Sequence, residues 1–102
     1  MEILLVGNSI QIKPAPGGQP EFIPVANITN VAGIFVDLTA ITDPVASDLI
    51  NANKFEKLAQ ITIHIVGRTK FIFNLQDVTN QGTWAATQAG LNIALTDINA
   101  FI

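Results

Sequence analysis

The chain has 102 residues, a net charge of −3 and no cysteine. This length suits one domain with one core, so we predict a single domain over residues 1–102. The acidic balance and the five scattered Lys and Arg residues exclude a general nucleic-acid binder, and the lack of cysteine excludes disulfides and thiolate chemistry.

The composition is apolar but poor in charge. Hydrophobic residues make up 49% of the chain and charged residues 13%, about half of the usual share of ~25%. Asn, Gln and Thr outnumber the charged residues, so the predicted surface consists of amides, hydroxyls and apolar groups. Such a surface repels copies of itself weakly, which favours a homo-oligomer.

Targeting signals are not visible in the sequence. Residues 1–6 carry an acid and an apolar run shorter than the ~7–15 residues of a signal peptide. No stretch reaches the ~18 consecutive apolar residues of a membrane span. We therefore expect a soluble protein without a secretion signal, located in the cytoplasm or in a virion.

Residues 2–13 predict a β-hairpin around Gly7 and Asn8, because glycine at the first central position suits a two-residue type II′ turn. The register that follows places aliphatic side chains on one face and an opposite-charge pair at the open end. Its partners are Val6 with Ser9, Leu5 with Ile10, Ile3 with Ile12 and Glu2 with Lys13.

The middle of the chain predicts a loop, two extended segments and a helix. Residues 14–20 form a loop rich in Pro and Gly, and Pro24 within the extended segment 21–31 favours a sheet edge or a bend. Residues 34–40 alternate as a half-buried strand. Its predicted inward side chains are Ile34, Val36 and Leu38, and its outward ones are Phe35, Asp37 and Thr39.

Residues 44–58 predict a helix. Asp43 and Pro44 are typical of a helix start, and apolar residues recur every three to four positions after them. Asn51 and Asn53 weaken this helix, so an ordered excursion between strands is the alternative.

The segment 60–75, QITIHIVGRTKFIFNL, predicts a second hairpin. A loop of three residues, 67–69, or of five places six large apolar side chains on one face. This face pairs Ile61 with Leu75, Ile63 with Phe73 and Ile65 with Phe71. The opposite face carries Thr62, His64, Val66, Lys70, Ile72 and Asn74.

Residues 83–102 change to a helical period, with Thr83 as the predicted N-cap. Gly90 costs about 1 kcal/mol relative to Ala in a helix interior, and close contact with the sheet would be a reason for it. An unimportant small residue is the alternative. The predicted apolar stripe consists of Trp84, Gln88, Leu91, Leu95, Ile98 and Phe101 or Ile102.

No catalytic, cofactor-binding or metal-ligating residue is assigned. The predicted sheet neighbours of His64 are Thr62, Ile72 and Asn74, which neither orient a catalytic imidazole nor complete a metal site. The acids lack paired-carboxylate or calcium-loop spacing. They include Asp37, Asp43, Asp48, Glu56, Asp77 and Asp97. The glycosylation sequon at 27–29 is interpreted as a chance occurrence, because no secretion signal accompanies it.

Arg68 and Lys70 lie near the tip of the second hairpin, and Lys13 lies beside the loop at 14–20. This placement resembles the loop cations that pleckstrin-homology domains use for phosphoinositides. The order of strands followed by a C-terminal helix bearing Trp84 is also similar to that fold. The clustered basic motif of lipid-binding members is absent, so the resemblance implies architecture and not function. The motifs themselves identify no family.

The predicted fold class is α+β: an antiparallel sheet of about five to seven strands or a partly open barrel, with the C-terminal amphipathic helix packed on one apolar face. The predicted function is that of a non-enzymatic assembly or structural protein that self-associates, for example a virion or particle component. The alternative is a small binding module for a peptide or small ligand, and an enzyme centred on His64 is the third class. We expect no cofactor and no nucleic-acid partner.

Overall fold

The computed structural model describes residues 1–14, 18–37, 57–67 and 70–102. Within these ranges the chain forms six β-strands in two antiparallel three-stranded sheets, followed by a C-terminal α-helix. This arrangement confirms the predicted α+β class, the antiparallel strand pairing and the terminal helix. The strands are divided between two sheets, and these sheets do not close into a barrel.

The first sheet contains β1 (Glu2–Val6), β2 (Ser9–Lys13) and β3 (Glu21–Pro24), in that order. All four predicted pairs between β1 and β2 are confirmed. Gly7 has a φ of 64°, as a glycine-first turn requires. β3 is an edge strand that ends at Pro24, where the chain enters a short 3₁₀-helix, so the prediction of an edge or a bend is confirmed.

The second sheet contains β4 (Ile28–Asp37), β5 (Lys57–Ile65) and β6 (Phe71–Asn74), with β5 in the centre. The predicted helix at 44–58 lies largely outside the described residues, as do residues 38–40 of the strand prediction. The last two residues of the predicted helix, Lys57 and Leu58, belong to β5, which pairs with β4 from Lys57 onward. The central strand therefore begins three residues before the predicted hairpin.

The inward side of β4 differs from the prediction. Ile34 is 55% exposed, whereas Phe35 packs against the core. The inward positions are Val31, Gly33 and Phe35, because their partners on β5 are all buried residues. The predicted alternation is therefore wrong by one residue, and Val36 also lies on the outward side.

Gly33 explains this difference. A Cβ at this position would come within 2.8 Å of Leu95 Cδ1 and 3.1 Å of Leu91 Cδ1 in the C-terminal helix. The glycine lets the helix lie directly on β4. Because glycine carries no apolar side chain, it leaves no mark on the hydrophobic pattern from which the inward side was predicted.

The second hairpin has the predicted faces but a different register. β5 and β6 pair Ile61 with Phe73 and Ile63 with Phe71, a shift of two residues from the predicted partners. An even shift keeps each side chain on its face, since side chains alternate with a period of two. Five of the six apolar residues are buried, and Phe71 is partly buried. Leu75 leaves the strand to begin a short 3₁₀-helix and is still buried.

The C-terminal helix, α1 (Gln88–Phe101), begins later than predicted. Its N-cap is Thr87 and not Thr83, and the Thr87 hydroxyl accepts a hydrogen bond from the Gly90 N–H at 3.0 Å. Gln88, a member of the predicted stripe, is exposed. The buried residues of α1 are Gly90, Leu91, Ala94 and Ile98. No helix in the described ranges is long and apolar enough to cross a membrane.

Trp84 precedes α1 and still belongs to the core. Its side chain is 2% exposed, and its Nε1–H donates to Asp97 Oδ2 at 2.8 Å, a hydrogen bond to a charged acceptor. A Cβ on Gly90 would collide with the backbone of Ala85 in the same segment. The close contact that accounts for Gly90 is therefore with the chain before the helix and not with the sheet.

Both sheets, the segment at Trp84 and α1 share one core. Burying a large aliphatic side chain contributes about 1.5–3 kcal/mol, so each fully buried isoleucine makes a contribution of this size to the core. These isoleucines are Ile3, Ile10, Ile23, Ile61, Ile63 and Ile98.

Candidate functional site

His64 lies near the end of β5, on the side of the second sheet that faces away from α1. Its side chain is partly buried, and Asn30 is its cross-strand partner on β4. Its backbone carbonyl accepts a hydrogen bond from the Thr29 hydroxyl at 3.2 Å. Asn30, the neighbour of His64 on β4, therefore offers the imidazole a neutral amide and not a charged group.

The charged residues discussed in the sequence lie on separate elements. Lys13 ends β2 opposite Glu2, and Lys70 is exposed just before β6. Asp37 ends β4, Asp77 is exposed after β6, and Asp97 is exposed on α1. Arg68, Asp43, Asp48 and Glu56 lie outside the described ranges. Across the described chain, no three His, Cys, Asp or Glu side chains could together hold a metal ion.

The sequon lies at the junction between the first and second sheets. Asn27 ends the 3₁₀-helix and Thr29 is the second residue of β4, and both are exposed. The Asn27 carbonyl accepts the Val66 N–H at 2.8 Å. The sequon residues therefore also have a structural role, because they tie the start of β4 to the end of β5.

The side of the second sheet that faces away from α1 is a partly apolar surface, which we call the outer face. The exposed Lys70 comes directly before β6, continues the alternation of Ile72 and Asn74, and lies at the border of this face. The outer face consists of four cross-strand rows. The rows are Val36 with Leu58, Ile34 with Gln60 and Asn74, Ala32 with Thr62 and Ile72, and Asn30 with His64. His64 is the only titratable side chain in these rows. Ile34 is 55% exposed and Ile72 is 44% exposed.

The polar groups of the outer face are partly paired with each other. Gln60 Nε2 donates to Asn74 Oδ1 at 3.2 Å, within the same row as Ile34. A polar group that already has a partner loses less when a surface is covered than one that depends on water. Covering the outer face therefore costs less desolvation at this amide pair than it would at two unpaired amides.

The first sheet also exposes apolar side chains on the side away from the core. Val6 is 52% exposed and Phe22 is 54% exposed. The row at the open end of this sheet contains Glu2 and Lys13, so covering the whole sheet would remove two charges from water. The outer face of the second sheet carries no such charge pair.

The exposed side of α1 carries a shallow, open depression lined by Asn92, Ile93, Thr96 and Asp97. A small-molecule site is normally a concave cleft that covers most of its ligand. This depression does not enclose a ligand. The outer face is therefore the better candidate for function.

No protein-family model, curated protein or solved structure matches the chain in the comparisons made. Function is consequently inferred from the surface of this chain alone.

Four of the ten residues in the rows of the outer face follow from the sequence. The predicted polar side of the second hairpin contains Thr62, His64, Val66, Lys70, Ile72 and Asn74. Four of these, Thr62, His64, Ile72 and Asn74, lie in the rows of this face, whereas Val66 and Lys70 lie just outside the strands. Ile34 is absent from that prediction because it was assigned to the core. The sequence signal for the correct side of β4 is the alternating set Val31, Gly33 and Phe35, in which a small residue lies between two large apolar ones.

Proposed function

We propose that this chain is a non-enzymatic structural protein that self-associates, of the kind that builds a virion or another particle. The observation that carries the proposal is the outer face, whose four rows contain no Asp, Glu, Lys or Arg and which has the exposed Lys70 at its border. Exposed isoleucines on two of its strands supply apolar area. Low charge on the chain as a whole supports the same conclusion, because little repulsion opposes contact between copies.

The size of the outer face determines how strong the association should be. The ten residues of its four rows, each covering about 4.8 by 6.8 Å, give about 330 Å² for each copy. Specific interfaces bury about 1,000 Å² or more in total. Two stacked outer faces supply about two thirds of that area, and surrounding side chains must supply the rest. We therefore expect reversible association that depends on protein concentration.

Light scattering coupled to size-exclusion chromatography tests the proposal. The parent protein should exceed the monomer mass at tens of micromolar in moderate salt. Ile72→Lys should return the mass to that of a monomer, because association would desolvate an unpaired ammonium group at the contact. Ile93→Lys is the matched control, since Ile93 is 42% exposed on α1, away from the outer face.

Two results would contradict the proposal. The first is a monomeric parent protein under these conditions, which would favour the alternative function of a small binding module for a peptide or ligand. The second is equal loss of association in both lysine variants, which would show that added charge anywhere on the surface disperses the protein.

A further inference from the structure

The edge of β1 that faces away from β2 is covered by the segment 79–81, which is distant in sequence. The Asn80 side chain accepts the Ile3 N–H at Oδ1 (2.9 Å) and donates from Nδ2 to the Ile3 carbonyl (2.7 Å). Gln81 Nε2 also donates to that carbonyl at 3.1 Å. The Thr79 N–H and hydroxyl donate to the Met1 carbonyl at 2.8 and 3.1 Å.

Asn80 thus occupies the position of a peptide group in a neighbouring strand. In a two-residue hairpin the residues that flank the turn form a hydrogen-bonded pair, and the next pair does not. With Val6 opposite Ser9, the N–H and C=O groups of Leu5 and Ile3 therefore face away from β2. The Asn80 side chain pairs with the N–H and C=O groups of Ile3. No hydrogen bond to the backbone of Leu5 comes from a described residue outside the sheet.

We propose that the β1 edge is a strand-addition site, that segment 79–81 holds it closed, and that its occupant after release is β1 of a second copy. Two β1 strands related by a two-fold axis can run antiparallel with Leu4 opposite Leu4. Ile3 of each copy then faces Leu5 of the other, and the outward N–H and C=O groups of both residues are used. Glu2 faces Val6 in this register, so no like charges are opposed.

Segment 79–81 is a device of the kind by which proteins protect sheet edges from unwanted pairing. Its contacts are made mainly by side chains, so they can be released without breaking a backbone ladder. The two first sheets would join into one six-stranded sheet on release. This inference does not depend on the proposed association through the outer face, because the β1 edge belongs to the other sheet.

The test compares two double variants by light scattering and amide hydrogen exchange. Asn80→Ala with Gln81→Ala removes all three side-chain contacts to Ile3. Gln88→Ala with Asn92→Ala is the matched control, because these two side chains bond to each other on the exposed side of α1. Both pairs are placed in the Ile72→Lys background, so that association through the outer face is suppressed.

The edge variant should form dimers as its concentration rises, and the control should not. At low concentration the Ile3 amide of the edge variant should lose its protection, and at high concentration both the Ile3 and Leu5 amides should become protected. A monomeric edge variant at all concentrations, or a dimer whose Leu5 amide stays unprotected, would overturn the inference. These outcomes concern the mass of the edge variant and its β1 amides, so they are distinct from the mass of the parent protein, which tests the outer face.

Hydrogen exchange on the parent protein keeps the inference testable if the edge variant does not fold. The Ile3 amide should exchange through a local opening that leaves the inner amides of Ile10 and Ile12 protected. Exchange of all three amides by one common opening would overturn the inference, because segment 79–81 would then leave β1 only when the sheet unfolds.

Discussion

Gly90→Ala is expected to destabilise the protein although alanine is the better helix former. Gly90 lies in the first turn of α1 and is buried. Helix propensity alone predicts that alanine at this position raises the free energy of unfolding by about 1 kcal/mol. The added Cβ would collide with the backbone N, C and O atoms of Ala85, and backbone atoms cannot be displaced by a rotamer change.

The net effect can be estimated from the neighbouring contacts. Overpacking a well-packed core costs typically about 1–3 kcal/mol and sometimes more. The segment that must retreat from the new methyl group also carries Trp84, which is 2% exposed and bonded to Asp97. A shift of Trp84 adds lost burial to the collision. Subtracting the propensity gain leaves a loss of up to about 2 kcal/mol from the collision, and the shift of Trp84 adds to this loss.

Urea and thermal denaturation followed by the fluorescence of the single tryptophan will measure this loss. A domain of this size changes its Tm by about 4–8 °C for each kcal/mol. Ala89→Gly is the control, because Ala89 is exposed in the same turn and its replacement should cost about 1 kcal/mol by propensity alone. A rise in Tm for Gly90→Ala would refute the reasoning, since it would show that Ala85 does not lie against residue 90.

Three further predictions concern the core, the segment before α1 and the histidine. Phe73→Ala should lower the free energy of unfolding by about 3–5 kcal/mol, because Phe73 is 4% exposed. Phe22→Ala should lower it far less, because Phe22 is 54% exposed. Equal denaturation midpoints for the two variants would contradict the predicted face of the second hairpin. Asp97→Ala should lower the free energy of unfolding by about 1–3 kcal/mol, because it leaves the buried Nε1–H of Trp84 without its acceptor. Asp97→Asn keeps a side-chain oxygen and should lower it less in the same urea titration. His64→Gln should retain the fold and the association measured by light scattering; loss of a native activity in this variant, with folding retained, would instead favour an enzyme.

The first hairpin is the part of the fold that local sequence decides. Gly7 can adopt a positive φ at little cost, and a two-residue turn at that position leaves one register for β1 and β2. The aliphatic side chains then fall on one face without help from the rest of the chain. Prediction and structure agree here because the turn and the hydrophobic pattern impose the same pairing.

The second hairpin shows where local pattern stops being sufficient. Alternation fixes which side chains share a face, and the face was predicted correctly. It does not distinguish registers that differ by two residues, because both place Ile61 and Phe73 on the same side. The observed register also depends on packing, since Leu75 fills the core from a 3₁₀-helix instead of from the strand.

The start of α1 was missed for a similar reason. Trp84 falls in phase with the apolar stripe of the helix, so periodicity places it in the first turn. In the structure it enters the core from the preceding segment, held by Asp97, and Thr87 caps the helix four residues after Thr83. A side chain can reach the core from irregular backbone, and helical periodicity cannot distinguish this case.

The sequence by itself determined the α+β class, the first hairpin, the faces of the second hairpin and a surface poor in charge, because each depends on neighbouring residues or on composition. Only the tertiary structure decided how the strands divide into two sheets, which side of β4 faces the helix, and that Asn80 closes the edge of β1. These features depend on contacts between distant segments, such as the hydrogen bonds between Ile3 and Asn80, which are 77 positions apart. Such contacts form because the shared core brings those segments together, and no local pattern of residues records that proximity.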